Sequence, residues 1–220
     1  MPLMDNDTQT QVRDLLAVVS KPVIIHMFTQ DFECGYCKET RQIVEEVAEL
    51  SESVTVQVHD FVQQQELAEQ LGIDKIPALA IMGANDQDYG IRFYGIPSGY
   101  EFTSLLEAIL LVGTGDLQLD QATLSFLETL EQPLHLQVFV TPTCPYCPRA
   151  VFLAHSLAYA SDKIVADMVK VTEFPHLGNR YHVMGVPRTV INENTHIEGA
   201  VPEGMLLEKI KAAIALAVPK

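Results

Sequence analysis

Three structurally demanding residues recur along this chain at one fixed displacement. Cys34, Cys37 and Pro77 return as Cys144, Cys147 and Pro187, each 110 positions later. The interval from first cysteine to proline is 43 residues in both halves, so the two copies align there without an insertion. A period of that length points to one folding unit used twice. The flanking segments keep the same rhythm, with Ile164 to Val169 falling on Val54 to His59 and Arg188 to Asn192 on Ala78 to Met82. After the prolines the second copy is shorter, since Gly199 follows Pro187 by 12 residues whereas Gly95 follows Pro77 by 18.

Within the first copy, Val12, Leu15, Leu16 and Val19 recur at helical spacing between residues 8 and 20, with Asp5, Asn6 or Asp7 available as cap. Val23 to Phe28 is a short apolar run rich in β-branched residues, the signature of a strand buried on both faces. A helix is expected from Cys37 to about Leu50, a strand around Val54 to Val58, and a short helix around Gln63 to Leu71. Ala78 to Met82 and Ile91 to Tyr94 form a hairpin across a Gly/Asn/Asp-rich turn, and a last helix covers 98–112. The order αβαβαββα then repeats. Two units are expected, 1–113 and 114–220, with Gly113 capping the last helix of the first.

Composition excludes several partner classes. A formal charge of −15 repels nucleic acid and anionic membrane, and 48 % hydrophobic residues supply a core that needs no disulfide staples. The first residues lack the basic and apolar regions of a signal peptide, and no apolar run approaches a membrane span. A cytoplasmic location is therefore expected, where paired cysteines are more often catalytic or metal-binding than structural.

All four cysteines fall in Cys34-Gly35-Tyr36-Cys37 and Cys144-Pro145-Tyr146-Cys147, each between an apolar run and a helical segment. Cys-x-x-Cys at such a junction is a redox motif. With the first cysteine at the helix N-cap and the second in the first turn, unpaired backbone N–H groups and the helix dipole stabilise a thiolate. The first cysteine then attacks a substrate disulfide and the second resolves the mixed disulfide. Pro145 suits the first helical position, whereas Pro148 is unexpected so early in a helix. Asp31 and Glu33 precede Cys34, with Lys38 as partial compensation, while Cys144 has neutral neighbours and Arg149 a turn away. Cys144 is accordingly expected to have the lower pKa and the faster reaction with thiol reagents. Pro77 and Pro187 follow Ile76 and Val186 and precede strands, positions that suit a cis bond beside an extended substrate chain. Tyr36 and Tyr146 occupy the same place in both motifs, to line a substrate surface or to pack on the helix.

These features resemble the thioredoxin superfamily twice over. Thr141 to Pro148 is similar to the active-site segment of the two-domain protein disulfide oxidoreductases, or glutaredoxin-like proteins, of thermophilic archaea and bacteria. The resemblance implies an α/β chain of two tandem thioredoxin-like folds, each three-layer α/β/α with a central mixed sheet. It also implies redox-active disulfides with no bound cofactor, protein disulfide or dithiol substrates, and reduction by a thioredoxin-reductase-type flavoenzyme. Two departures stand out. The glutathione-holding Gly-Gly pair of glutaredoxins is represented only by Glu198-Gly199-Ala200, and Val23 to Phe28 lacks the buried aspartate that thioredoxins carry there.

Other readings compete. Two CxxC knuckles can build a four-cysteine zinc site, although such knuckles normally lie about 15 to 20 residues apart. The chain could serve as a dedicated dithiol electron carrier to a peroxidase or reductase, or as a non-catalytic peptide-binding double thioredoxin fold. The seven histidines, among them His26, His59 and His182, show no metal-ligand spacing.

Overall fold

The computed structural model describes residues 2–217. Asp5 caps the first helix, α1 (Asn6–Leu16), its side chain accepting the N–H of Thr8 at 2.7 Å. Then come β1 (Val23–Thr29), α2 (Cys37–Ala48), β2 (Val54–Asp60), α3 (Gln65–Gln70), β3 (Ala78–Met82), β4 (Asp88–Tyr94) and α4 (Glu101–Thr114). The second half follows as α5 (Gln121–Glu128), β5 (Leu134–Val140), α6 (Cys147–Ala160), β6 (Ile164–Lys170), α7 (Pro175–Arg180), β7 (Arg188–Ile191), β8 (Thr195–Glu198) and α8 (Glu203–Ala217). The expected order thus appears twice.

All strands join one eight-stranded mixed sheet in the order β2-β1-β3-β4-β6-β5-β7-β8. Each half contributes the same pattern: a parallel pair, β1 with β2 and β5 with β6, then an antiparallel hairpin laid beside it. The halves meet where β4 runs parallel to β6, with Ile91, Arg92, Phe93 and Tyr94 opposite Ala166, Asp167, Met168 and Val169. Residues 91–94 and 166–169 are all buried, and the seam includes two charged side chains, Arg92 and Asp167, directly opposite each other.

Side chains alternate between two cores, one on each face of the sheet. Ile25, Met27, Phe93, Val138 and Met168 pack with apolar residues of α2, α4, α6 and α8. Phe28, Tyr94, Phe139 and Val169 pack on the other face with residues of and around α3 and α7, including Ala68, Phe174 and Tyr181. Two sequence expectations shift. The cap of α4 is Gly115, left-handed at φ 80, while Gly113 stays helical and its carbonyl accepts the N–H groups of Ser20 and Lys21. Helix α6 starts at Cys147, so Pro148 rather than Pro145 lies in its first turn, where a missing N–H breaks no helical bond.

Candidate active site

Because β1, β2, β4, β5 and β6 run in one direction, their C-terminal ends share one edge of the sheet. Both CxxC motifs leave from that edge, one after β1 and one after β5. Each pair is a disulfide, Cys34–Cys37 and Cys144–Cys147, with Cα atoms 5.5 Å apart in both. The N-cap of each following helix is the motif tyrosine, Tyr36 or Tyr146. The first cysteine therefore sits two residues before the N-cap instead of on it, and the second opens the helix. A tight turn fills the interval: Cys147 donates its N–H to the Cys144 carbonyl at 3.4 Å.

Accessibility differs within and between the pairs. Cys37 and Cys147 are buried, at 3 % and 0 % exposure, as a resolving thiol should be. Cys144 is also largely covered at 7 %, whereas Cys34 is half-buried. Tyr36 and Tyr146 stand 49 % and 71 % exposed, on the surface and not packed into the helix layer.

The Ile76–Pro77 and Val186–Pro187 peptide bonds are both cis. They enter β3 and β7, whose first residues pair with the ends of β1 and β5, at Phe28↔Ala78 and Phe139↔Arg188. Each proline thus stands on the edge that bears the neighbouring motif. Each proline carbonyl accepts one glycine N–H, Gly95 at 2.9 Å and Gly199 at 2.8 Å, so the local architecture repeats. Between the two motifs lie β3, β4 and β6, making four strand spacings or roughly 19 Å. Four sulfurs that far apart in pairs cannot meet in one zinc sphere, whose bonds are about 2.3 Å.

The space between the motifs holds a cluster that sequence reasoning missed. The β4–α4 loop crosses from one site to the other: Gly95 contacts Pro77, and Tyr100 donates its N–H at 3.0 Å to the carbonyl of Pro142, two residues before Cys144. Gly99 (φ +66) lets that loop approach, since a Cβ there would lie 2.2 Å from the Pro142 oxygen. Lys170, opposite Val140 at the end of β5, sends its ammonium to Ile96 O at 3.3 Å, Ser98 Oγ at 3.1 Å and Glu173 Oε1 at 3.2 Å. The same ammonium lies 5.7 Å from the centre of the Tyr36 ring. Glu101 at the start of α4 is 0 % exposed; its Oε2 accepts Ser104 Oγ at 2.7 Å, and its Oε1 has no partner among the described residues. Burial pushes the Glu101 carboxyl up to about 7, against the opposing pull of the Ser104 bond and the Lys170 charge.

The histidines have a different place. His26, buried on β1, bonds His59 Nε2 at 3.0 Å through Nδ1 and Asp86 Oδ1 at 3.0 Å through Nε2. Burial and the neighbouring His26 hold His59 below the ordinary histidine range. Its ring packs on Phe28, a member of the α3/α7-side core. His182 is exposed at φ 51.

Comparison with known proteins matches both halves to thioredoxin models: a thioredoxin model over residues 4–99 and a thioredoxin-domain model over residues 134–212. Among solved structures, a protein disulfide oxidoreductase from Aeropyrum pernix k1 superposes with a TM-score of 0.91 at 27 % identity, covering 100 % of this chain and 98 % of that one. The NTD_N/C domain of alkylhydroperoxide reductase AhpF from Enterococcus faecalis (V583) gives 0.87 at 26 % identity, covering 94 % and 99 %. Curated relatives include the F subunit of alkyl hydroperoxide reductase from Escherichia coli (strain K12), 24 % identical over 208 residues, with 94 % of this chain and 37 % of that protein covered. An NADH dehydrogenase of Bacillus subtilis (strain 168) is 21 % identical over 210 residues, covering 96 % and 38 %. The chain thus spans less than two fifths of the length of these curated relatives. Matched by thioredoxin models in both halves and superposing along its length on solved structures of that fold, the chain belongs to the thioredoxin superfamily, with two thioredoxin domains in tandem.

Proposed function

We propose that this chain is a protein dithiol–disulfide oxidoreductase working through both CxxC pairs, in units spanning 1–113 and 114–220. The observation that carries the reading is the repeated constellation: a CxxC disulfide at a strand-to-helix junction, its second cysteine buried, beside a cis-proline on the same sheet edge. In the reducing direction the thiolate of Cys34 or Cys144 attacks one sulfur of a substrate disulfide. A mixed disulfide forms, and the other substrate sulfur leaves as a thiolate that takes a proton from solvent. Cys37 or Cys147 then loses its proton and attacks its partner cysteine. The mixed bond breaks, the substrate's second thiolate is released, and the pair ends oxidised. Ile76, Pro77, Val186 and Pro187, with Tyr36 and Tyr146, form the surfaces on which an extended substrate segment lies.

Proton exchange at the second site falls to Glu101. It opens α4 directly after Tyr100, whose N–H bonds the Pro142 carbonyl of the Cys144 loop; its Oε1 has no partner among the described residues, and the Lys170 charge opposes the upward shift of its carboxyl. The redox equivalents reside in the cysteines themselves, so the chain needs no bound cofactor, and a thioredoxin-reductase-type flavoenzyme regenerates the dithiols. A second reading, a dedicated electron carrier to a peroxide-reducing system, draws support from the relatives named as the F subunit of alkyl hydroperoxide reductase. Among the described residues no helix is long and apolar enough to cross a membrane. We assign the protein to the cytoplasm, with neither nucleic acid nor membrane as partner.

Insulin reduction with dithiothreitol as electron source tests the main reading. The general oxidoreductase precipitates insulin chains catalytically, and activity falls in the double variants of each pair. A carrier with one dedicated partner leaves insulin near the uncatalysed rate while turning over with that partner.

A further inference from the structure

The two sites share one architecture but not one electrostatic setting. Asp31, Glu33 and Glu39 lie within five residues of Cys34 in the chain, Asp74 lies three residues before the cis-proline Pro77, and all four are exposed. At the positions 110 residues later stand Thr141, Thr143, Arg149 and Met184 around Cys144. Three carboxylates become neutral side chains, and the fourth becomes a cation. Among the described residues Asp31, Glu33 and Glu39 have no ion pair, so their charge faces the approach to the disulfide. Lys75 does not offset them outward: it is folded against the Tyr94 ring, 3.6 Å from the centroid, and is spent on Asp74. Lys170 is 5 % exposed and engaged with Glu173, leaving Lys38 as the exposed cation of that motif. Apolar surface is offered at both sites, by Phe32 at 81 % exposure beside Cys34 and by Met184 at 92 % beside the second cis-proline.

We propose that the two sites sort their substrates by charge: the Cys34 site takes polypeptide disulfides flanked by lysine or arginine, and the Cys144 site takes neutral or apolar ones. The inference rests on the oxidoreductase reading and names the substrate class of its first site. Carboxylates within about one Debye length of the reacting sulfur, about 10 Å at 0.1 M salt, raise the local concentration of a cationic segment and exclude an anionic one. Glu33 is the residue directly before Cys34 and is held at φ 54, so its carboxylate departs from the same chain turn as the nucleophile. The exposed Phe32 ring gives the aliphatic stem of a long cationic side chain an apolar surface to cover.

The test uses the full chain in two forms, Cys144→Ser/Cys147→Ser with only the first site and Cys34→Ser/Cys37→Ser with only the second. Each is assayed with dithiothreitol on two peptides that contain the same internal disulfide, flanked either by lysines or by glutamates. Expected is a preference of about tenfold for the lysine peptide at the first site in low salt, shrinking toward unity near 1 M as the screening length falls to about 3 Å. The second site is expected to treat the two peptides within about threefold of each other. Replacing Asp31→Thr, Glu33→Thr and Glu39→Arg together in the first-site form abolishes its preference. Equal preferences at both sites, or a preference insensitive to salt, overturn the proposal. A folded first-site form that reduces neither peptide overturns the redox assignment of that site instead, and the sorting proposal with it.

Discussion

Glu101→Gln isolates the energetic consequence of a carboxyl buried between the two motifs. Glu101 is fully covered, and its carboxyl lies at about 7 against an ordinary 4.5. A raised acid disfavours the native state once it ionises, so the native protein is unaffected below pH 4.5 and is penalised progressively as the pH climbs through 7. A shift from 4.5 to about 7, at 1.36 kcal/mol per unit, gives a pH-dependent penalty of about 3 kcal/mol above pH 8. Glutamine keeps an acceptor for Ser104 Oγ and never ionises. The stability difference between variant and wild type should therefore change by about 3 kcal/mol in the variant's favour between pH 4.5 and 8.5, with every titration common to both proteins cancelling. Guanidinium denaturation of the oxidised proteins at four pH values measures it. A difference that stays flat across that range refutes the claim that this carboxyl is buried and raised, and removes it from the proton-exchange role proposed at the second site.

Three further outcomes follow from the same geometry. Reduced Cys144 should form its thiolate at lower pH than reduced Cys34, because Asp31 and Glu33 oppose the charge at Cys34; iodoacetamide rates against pH, read as midpoints so that the easier reagent access to Cys34 does not enter, check the order, and a lower midpoint at Cys34 contradicts it. Gly99→Ala places a Cβ 2.2 Å from the Pro142 oxygen at a left-handed backbone position, so it should destabilise the protein by about 2 to 4 kcal/mol. It should also slow the Cys144 site more than the Cys34 site, measured with the two single-site forms; equal slowing would mean that the β4–α4 loop does not position the second motif. Lys170→Met leaves Glu173 buried without its cation, at side-chain exposure of 7 %, and should cost about 3 to 5 kcal/mol in denaturation at pH 7.

Much of the architecture was legible from residue pattern because the strands are buried on both faces. Val23 to Phe28 is interrupted only by His26, and Leu134 to Val140 ends in a continuous apolar run after His135 and Gln137, while the 110-residue displacement carried each assignment in the first half to the second. The edges of elements were less legible. Helix α6 opens at Cys147 because Cys144 to Cys147 close a turn first, and propensity alone does not distinguish that turn from helix. The union of the two halves into one sheet left no local signal, since the parallel pairing of β4 with β6 joins residues some 75 positions apart. The Glu101, Lys170 and Glu173 cluster was hidden for the same reason: charged side chains are ordinarily solvent-facing, and only that union buries these three. His26 and His59 lie in different strands, and their contact follows from the β1–β2 register, which spacing in the sequence does not encode.

The central claim is that each motif passes through a covalent mixed disulfide formed by its first cysteine. Cys37→Ser and Cys147→Ser remove the resolving thiols, and incubation of each with a disulfide-containing protein substrate followed by intact-mass and peptide mapping measures the claim directly. The account predicts a stable one-to-one adduct through Cys34 in the first variant and through Cys144 in the second, released by dithiothreitol and absent when the first cysteine is also changed to serine. Failure of both variants to trap substrate, or adducts on neither Cys34 nor Cys144, would contradict it.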